Sequence, residues 1–446
     1  MMPTIKWPNE VVYHIFPDRW CNADPSNDVR TGEYKWHGHP VRKSTDVRRL
    51  TSPLLHQYYF YGGDLAGVTE KIPYFKRLGV TVVYLNPIFT SPSSHKYDAD
   101  DYFTVDPHLG TRADYERMVA ALHTAGIKIV LDGVFNHTSF HHPWYVNPRI
   151  RKKFYCMKNA TETMTWMNGG HLPKLNPENP AVEKALLSVI DAWPEIDGWR
   201  LDAAHLLPVK FLQKLKRRVE RLGDRNIIIM EDWTDSHGHF HDEVCDGVTN
   251  FLFRDAVERF LVEDCSAETI LKRFACWILR YPWPNVVQSW NLLDNHDTFR
   301  IFSRVGRNVA RFRIAQALQF TLPGTPMIYQ GDEIGMTART DAQSRSPMIW
   351  DEKKWNREIF EHTQKLIALR KHHPVLQAGR WRPLLAVNHA RALAYERTLP
   401  SGDRAVIAIN DGYRPFDFRS GKLRSRLAPH DYAIWISDRH GSGRLA

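Results

Sequence analysis

Acids, histidines and one arginine recur at the ends of short aliphatic runs in this chain. Asp132, Asn136 and His137 end IKIVLDGVFNH, Arg200 and Asp202 end IDGWRLD, Glu231 and Asp232 end NIIIMED, and His296 and Asp297 end NLLDNHD. A lone acid after a strand is ordinarily a helix N-cap or a loop ligand. Several carboxylates aimed at one pocket repel one another and resist joint ionisation. Such a cluster makes chemical sense where a proton is transferred or positive charge develops. Cleavage of a glycosidic bond by a carboxyl pair is a reaction of that kind.

Two spacings refine the picture. Arg200 lies two residues before Asp202, so on a strand both side chains share a face and the guanidinium can orient the carboxylate and keep it ionised. Glu231 and Asp232 are adjacent, and alternation sends neighbouring side chains to opposite faces. At most one of the two can enter a common pocket with Asp202 and Asp297.

These residues need elements to hold them. Strand-like runs at 11–16, 80–88, 127–135, 196–204, 226–233, 245–253, 286–297 and 325–333 alternate with amphipathic segments such as 71–79 and 113–126, each ending in Gly as helix C-termini commonly do. Eight strand-helix units predict an α/β fold, a closed parallel (β/α)8 TIM barrel, whose active site gathers at the C-terminal strand ends. The stretch 138–180, rich in Asn, Pro, His and aromatic residues, breaks the rhythm and reads as a small insertion domain after the third strand. Residues 1–137 and 181–373 form the barrel, and 374–446, with the runs ALAYERT, RAVIAIN and YAIWISD, a C-terminal all-β sandwich.

Composition bounds the rest. The 446 residues are 43% hydrophobic and 25% charged and show no apolar run near 18 residues, so no membrane partner is expected. No secretory signal stands at the N-terminus, and five cysteines show neither framework nor metal-ligand spacing, which suits reduced thiols in the cytoplasm. The formal charge of +10 raises nucleic acid as a partner. The basic run LKRRVERLGDR, however, has the spacing of a solvated helix face, and no nucleic-acid motif accompanies it.

Near the start, CNADPSND (21–28) and GGD (62–64) bring hard oxygen donors together. Such donors suit calcium, and equally an Asx-rich turn. HGHFH (237–241) alternates histidines without partner cysteines and reads as a loop rather than a zinc site.

LDGVFNH, GWRLDAAH, MEDW and LLDNHD, in this order and on successive strands, resemble the main conserved segments of the α-amylase family of glycoside hydrolases, with LPKLN (172–176) and GTPMIYQGDEIG (324–335) in support. YHIFPDRW, GGDLAGV and SSHKYDADDY resemble its maltodextrin glucosidase, cyclomaltodextrinase and neopullulanase branch. The resemblance implies a retaining cleavage of α-1,4-glucosidic bonds in short maltodextrins. Asp202 is the implied nucleophile, Glu231 the general acid and Asp297 the stabiliser of the distorted sugar. It implies that His137 and His296 bond sugar hydroxyls, that Tyr97 stacks on the ring, and that Asp132, Arg200 and His205 belong to the substrate site. It also implies a structural Ca2+ held by Asn22, Asp24, Asn27, Asp28, the Gly62 carbonyl and Asp64.

Two departures stand out. Relatives in this branch carry an N-terminal β-sandwich involved in dimerisation, whereas this sequence starts near its first strand, which makes a monomer plausible. Met230 and Asp232 flank the general acid where the family has Gly and an apolar residue. A transglycosylase or isomerase of the same family, such as a trehalose synthase, would keep the same three acids; a non-catalytic carbohydrate-binding member would lose some of them.

Overall fold

The computed structural model describes residues 4–50, 56–168, 171–338, 340–438 and 441–444. Eight parallel strands close into a barrel: β1 (Val12–Ile15), β2 (Val82–Leu85), β3 (Lys128–Gly133), β4 (Gly198–Leu201), β5 (Ile227–Asp232), β6 (Gly247–Asn250), β7 (Trp290–Leu292) and β8 (Thr325–Tyr329). Each strand pairs with its sequence neighbours, and β1 closes the ring on β8, as the strand-helix rhythm predicts.

Alternation along the strands sorts side chains between two cores. Val12, Val82, Tyr84, Val130, Ile227, Ile229, Trp290, Leu292 and Met327 fill the barrel interior. Tyr13, Val83, Ile129, Leu131, Trp199, Ile228, Met230, Val248 and Ile328 face the surrounding helices. The inward parity, continued toward the C-terminal strand ends, runs through His14, Asp132, Arg200 and Glu231. Thus the hydrophobic pattern that builds the barrel also decides which polar side chains reach its mouth.

Two strands are shorter than the sequence pattern implies. In CDGVTNFLF the strand stops at Asn250, whose side chain accepts the Phe253 amide at 3.1 Å and caps a helix over Phe251–Leu261. In VVQSWNLLDNHD the first residues end a helix over Trp283–Gln288, and only Trp290–Leu292 is strand. Apolar runs of this length suit a strand or a buried helix face equally, and the Asx cap decides between them.

Between β3 and β4, helices Pro143–Val146 and Pro148–Phe154 lead to a returning segment that bridges Lys174 to His137 and Leu175 to Tyr155. LPKLN thus runs directly beside the end of β3. After the helix Arg357–His372, an antiparallel sheet forms from Arg380–Val387, Ala392–Thr398, Arg404–Asn410, Asp431–Asp438 and Gly441–Arg444. One face of it, with Leu393, Tyr395, Ile407 and Ile434, joins the barrel's outer core. The other packs Val406, Ala408 and Trp435 against Phe418 and Leu427 of a ribbon formed by Phe416–Ser420 and Leu423–Leu427. Among the described residues no helix is long and apolar enough to cross a membrane.

Candidate active site

Arg200 is the hub of the barrel mouth. Its Nη1 lies 2.8 and 2.9 Å from the two oxygens of Asp132 and 3.1 Å from Asp202 Oδ1, and its Nη2 lies 2.8 Å from Glu231 Oε1. One buried guanidinium therefore holds three carboxylates drawn from β3, β5 and the end of β4. A planar fork can do this, and a lysine ammonium cannot. The Asp202 amide still bonds the Gly133 carbonyl at 3.1 Å, so the residue continues the inward face of β4. Ala203 then turns into the left-handed region (φ +43), and its amide donates to Glu231 Oε2 at 2.8 Å. Left-handed backbone at a residue with a Cβ is costly. Here it directs a donor at one oxygen of Glu231 while Arg200 holds the other.

Burial dominates the electrostatics. It pushes the Asp202 carboxyl well above its usual range, the neighbouring Glu231 carboxylate pushes the same way, and Arg200 opposes both. The balance favours the protonated form of Asp202. Asp297 ends in the opposite state. Burial would raise it, but His296, Arg345 and Arg200 together hold it well below the usual carboxylate range. His296 Nε2 lies 3.0 Å from Asp297 Oδ2, and Arg345 reaches Asp297 Oδ1 at 2.6 Å and the His296 carbonyl at 2.7 Å. Asp297 thus stays anionic while Asp202 is pushed toward its protonated form.

Aromatic and histidine side chains wall the same space. Tyr97 donates to Asp132 at 2.7 Å, and its ring stacks on His296 at 5.1 Å between centroids. His137 Nε2 lies 3.1 Å from the Tyr97 carbonyl, and burial lowers its pKa to about 4, so it is a neutral hydrogen-bonding group. Asp202, Glu231, Asp297, Asp132, Arg200, Tyr97, His137 and His296 are therefore linked around one mouth. His205 differs: it is exposed on the turn Ala204–Leu206.

Four contributors were not singled out from sequence. Tyr84 donates to Asp132 at 2.6 Å, His14 stacks on Tyr84 at 4.5 Å and meets His296 edge-on at 5.4 Å, Arg345 grips Asp297, and Trp233 donates to Glu231 Oε1 at 3.2 Å. For Tyr84 and His14 the signal was available, since both share the inward parity of their strands. Trp233 is 45% exposed and stacks face to face on Phe251 at 3.8 Å, so a flat apolar surface stands beside the Glu231 carboxyl.

The neighbouring acids of β5 separate as alternation requires. Glu231 follows Ile227 and Ile229 inward. Asp232 follows Ile228 and Met230 outward and is spent on the loop: it accepts the Thr234 amide at 2.9 Å, the Thr234 hydroxyl at 2.8 Å and the Ser236 hydroxyl at 2.8 Å, with His239 at 3.7 Å. Asp232→Asn keeps an acceptor oxygen and loses charge-assisted bonds of about 1 kcal/mol each. We expect kcat to fall by about tenfold at most, measured on a short oligosaccharide.

The oxygen-rich segments at 21–28 and 62–64 do meet. Asp64 Oδ2 accepts the Ala23 and Asp24 amides at 3.1 and 2.8 Å, and its Oδ1 accepts the Gly67 amide at 2.5 Å. Asp24 accepts the Ser26 amide and hydroxyl, Asn22 donates to Asp28 at 2.9 Å, and the buried Asn27 Oδ1 has no hydrogen-bond partner among the described residues.

Residues 14–356 match the family model described as alpha amylase, catalytic domain. The chain is 38% identical over 430 residues to neopullulanase 2 of Thermoactinomyces vulgaris, a match covering 92% of this chain and 71% of that protein. It is 33% identical over 421 residues to the cyclomaltodextrinase of Geobacillus thermopakistaniensis, covering 90% and 69% respectively. Among solved structures, the cyclic α-maltosyl-(1→6)-maltose hydrolase of Arthrobacter globiformis in complex with that sugar superposes with a TM-score of 0.87 at 27% identity, covering 98% of this chain and 100% of that one.

Proposed function

Because the chain belongs to the α-amylase family, in the branch of neopullulanases and cyclomaltodextrinases, we propose that it is a retaining enzyme for the α-1,4-glucosidic bonds of short or cyclic maltodextrins. It is a glycoside hydrolase acting on α-glucans. The observation that carries the finer reading is the single guanidinium of Arg200 touching both Asp202 and Glu231. A retaining pair must stand about 5 to 5.5 Å apart, and the placement of both carboxylates on one guanidinium supports such a close pair.

In this mechanism Asp202 attacks the anomeric carbon while Glu231 gives its proton to the departing oxygen. The glycosyl ester on Asp202 is then hydrolysed by a water that Glu231, now a base, deprotonates. The first step needs Asp202 ionised and a proton on Glu231; the Arg200 guanidinium favours the ionised nucleophile. Asp297, kept anionic by His296 and Arg345, steadies positive charge at the ring and accepts its hydroxyls. Tyr97 offers its ring to the sugar, and neutral His137, together with His296, donates to its hydroxyls; Trp233 offers an apolar face to the leaving-group side. His205, exposed on the turn after the nucleophile, is assigned to a sugar further out. We place the enzyme in the cytoplasm, a reading supported by the intracellular maltogenic amylase of Bacillus subtilis, 31% identical over 390 residues.

A product time course on maltotriose, β-cyclodextrin, pullulan and starch tests the substrate class. Turnover of the short and cyclic sugars should exceed that of starch. Rapid starch depolymerisation with negligible turnover of short substrates would sink the assignment, and glucosyl transfer or isomerisation without release of new reducing ends would move the chain to the transglycosylase or isomerase reading.

A further inference from the structure

The oxygen-rich loops behind the active site do not fit a calcium ion as they stand, because a side-chain cation already lies among them. The Lys43 ammonium pairs with Asp28 Oδ1 and donates to the Tyr61 carbonyl at 2.9 Å. It lies against the backbone of Gly62: a Cβ built there would fall 1.8 Å from Lys43 Nζ, 2.0 Å from Asp28 Oδ1 and 2.6 Å from the Asn22 amide nitrogen. The positive φ of Gly62, +81°, and its missing side chain leave room for this approach. Asn22, Asp28 and Lys43 thus crowd one space beside Gly62, where the ammonium takes Asp28 and Asn22 donates to the same carboxylate oxygen.

The other donors are committed elsewhere. Both Asp64 oxygens accept backbone amides, and Asp24 Oδ1 accepts Ser26. Calcium takes six to eight oxygens at about 2.3–2.6 Å. To ligate Asp28 and a backbone carbonyl here, a dication would have to lie beside the ammonium and against its charge. Asn27 Oδ1 is a buried oxygen here without a partner among the described residues, and one neutral oxygen does not offset the charge of the neighbouring ammonium.

We propose that Lys43 is the built-in cation of this cradle, supplying from the chain itself the positive charge that would otherwise come from a divalent metal. What it secures connects to the catalytic centre. Asp18, on the loop after β1, accepts the Tyr61 amide at 3.0 Å and the Gly62 amide at 3.2 Å and pairs with Arg19. Arg19 in turn donates to the Arg345 carbonyl at 2.9 Å and to Ser94 at 3.2 Å, in the loop that carries Tyr97. Arg345 grips Asp297. The ammonium therefore anchors the loops on which the anionic stabiliser and the stacking tyrosine depend.

The test compares thermal unfolding of the wild-type chain and Lys43→Met, each in chelator and in millimolar calcium, with direct calcium titration of the wild type by calorimetry. The wild type should have the same Tm in both media and give no binding heat. Lys43→Met should lose a few degrees in chelator and regain them in calcium, since the vacated centre then exposes Asp28, Asn22, Asn27 and the Tyr61 carbonyl to a dication. A wild type that loses Tm in chelator, or binds calcium stoichiometrically, overturns the proposal. So does a Lys43→Met chain whose Tm is unchanged or whose loss calcium does not restore. Should Lys43→Met not fold, the wild-type titration alone decides.

Discussion

Glu231→Gln should lower kcat on maltotriose by about 10²–10⁴-fold, the usual contribution of a general acid, while sparing most of the rate of forming the glycosyl ester from a substrate with a good leaving group. The amide keeps the contacts with Arg200 and the Ala203 amide but brings no proton to the leaving oxygen. A second consequence has a definite sign. After burial, the Glu231 charge is the largest cause that raises Asp202, so neutralising it lets Asp202 ionise at lower pH. The acid limb of the residual activity, which reports ionisation of the nucleophile, should shift downward. Burst kinetics and a pH profile with an activated maltoside check both points. A loss as deep on the activated substrate as on maltotriose, or an acid limb that moves upward, contradicts the role of Glu231. So would an Asp232→Asn chain more damaged than Glu231→Gln.

Arg200→Met should produce the other large effect. The guanidinium is buried and joins Asp132, Asp202 and Glu231, so its loss leaves buried carboxylates without their cation, at a cost of about 3–5 kcal/mol in stability. Arg200 also opposes the rise of Asp202, and without it the nucleophile should need higher pH to ionise. The acid limb moves upward, opposite to the shift for Glu231→Gln. Arg200→Lys retains charge but cannot reach three carboxylates at once, and displacement of either reacting group by about 1 Å costs on the order of 10²-fold in kcat/KM. Denaturant unfolding and pH-rate profiles of the two variants separate the charge from the fork. Two variants with wild-type acid limbs would show that Arg200 does not tune the pair.

The barrel was legible in the sequence because its strands are buried on both sides and read as aliphatic runs at regular spacing. Parity along β5 separated Glu231 from Asp232 before any coordinates, and the structure shows what parity leaves open, namely that Asp232 is consumed by Thr234 and Ser236. Arg200 was legible as the partner of Asp202 through their spacing. Its grip on Glu231 and Asp132 was not, because contacts between neighbouring parallel strands depend on register. Tyr84 and His14 carried the inward parity but no chemistry that marks them in isolation. Arg345 and Lys43 were hidden for a different reason: Arg345 caps a one-turn helix and Lys43 sits in a two-residue strand, elements too short to show a period, and each meets a partner far away in sequence or across a loop. The beginning of the helix at Phe251 was hidden by its own apolar face, which continues the strand pattern until the Asn250 cap is counted.

The proton inventory of the mouth gives the three acids distinct tasks. Burial and the Glu231 charge push Asp202 toward its protonated form against Arg200, while Asp297, nearer to solvent, is held anionic by His296 and Arg345. Such divergence of environments among neighbouring carboxyls is how a site assigns acid, nucleophile and stabiliser at one pH.

Stereochemistry tests the double displacement most directly. Proton NMR of the anomeric region, recorded in the first minutes of β-cyclodextrin or maltotriose hydrolysis, reports the configuration of new reducing ends before mutarotation. The pair held by Arg200 predicts that the α-anomer appears first and the β-anomer grows in later. Initial release of the β-anomer would mean that water attacks directly across a wider gap, and would contradict the assignment of Asp202 as the nucleophile.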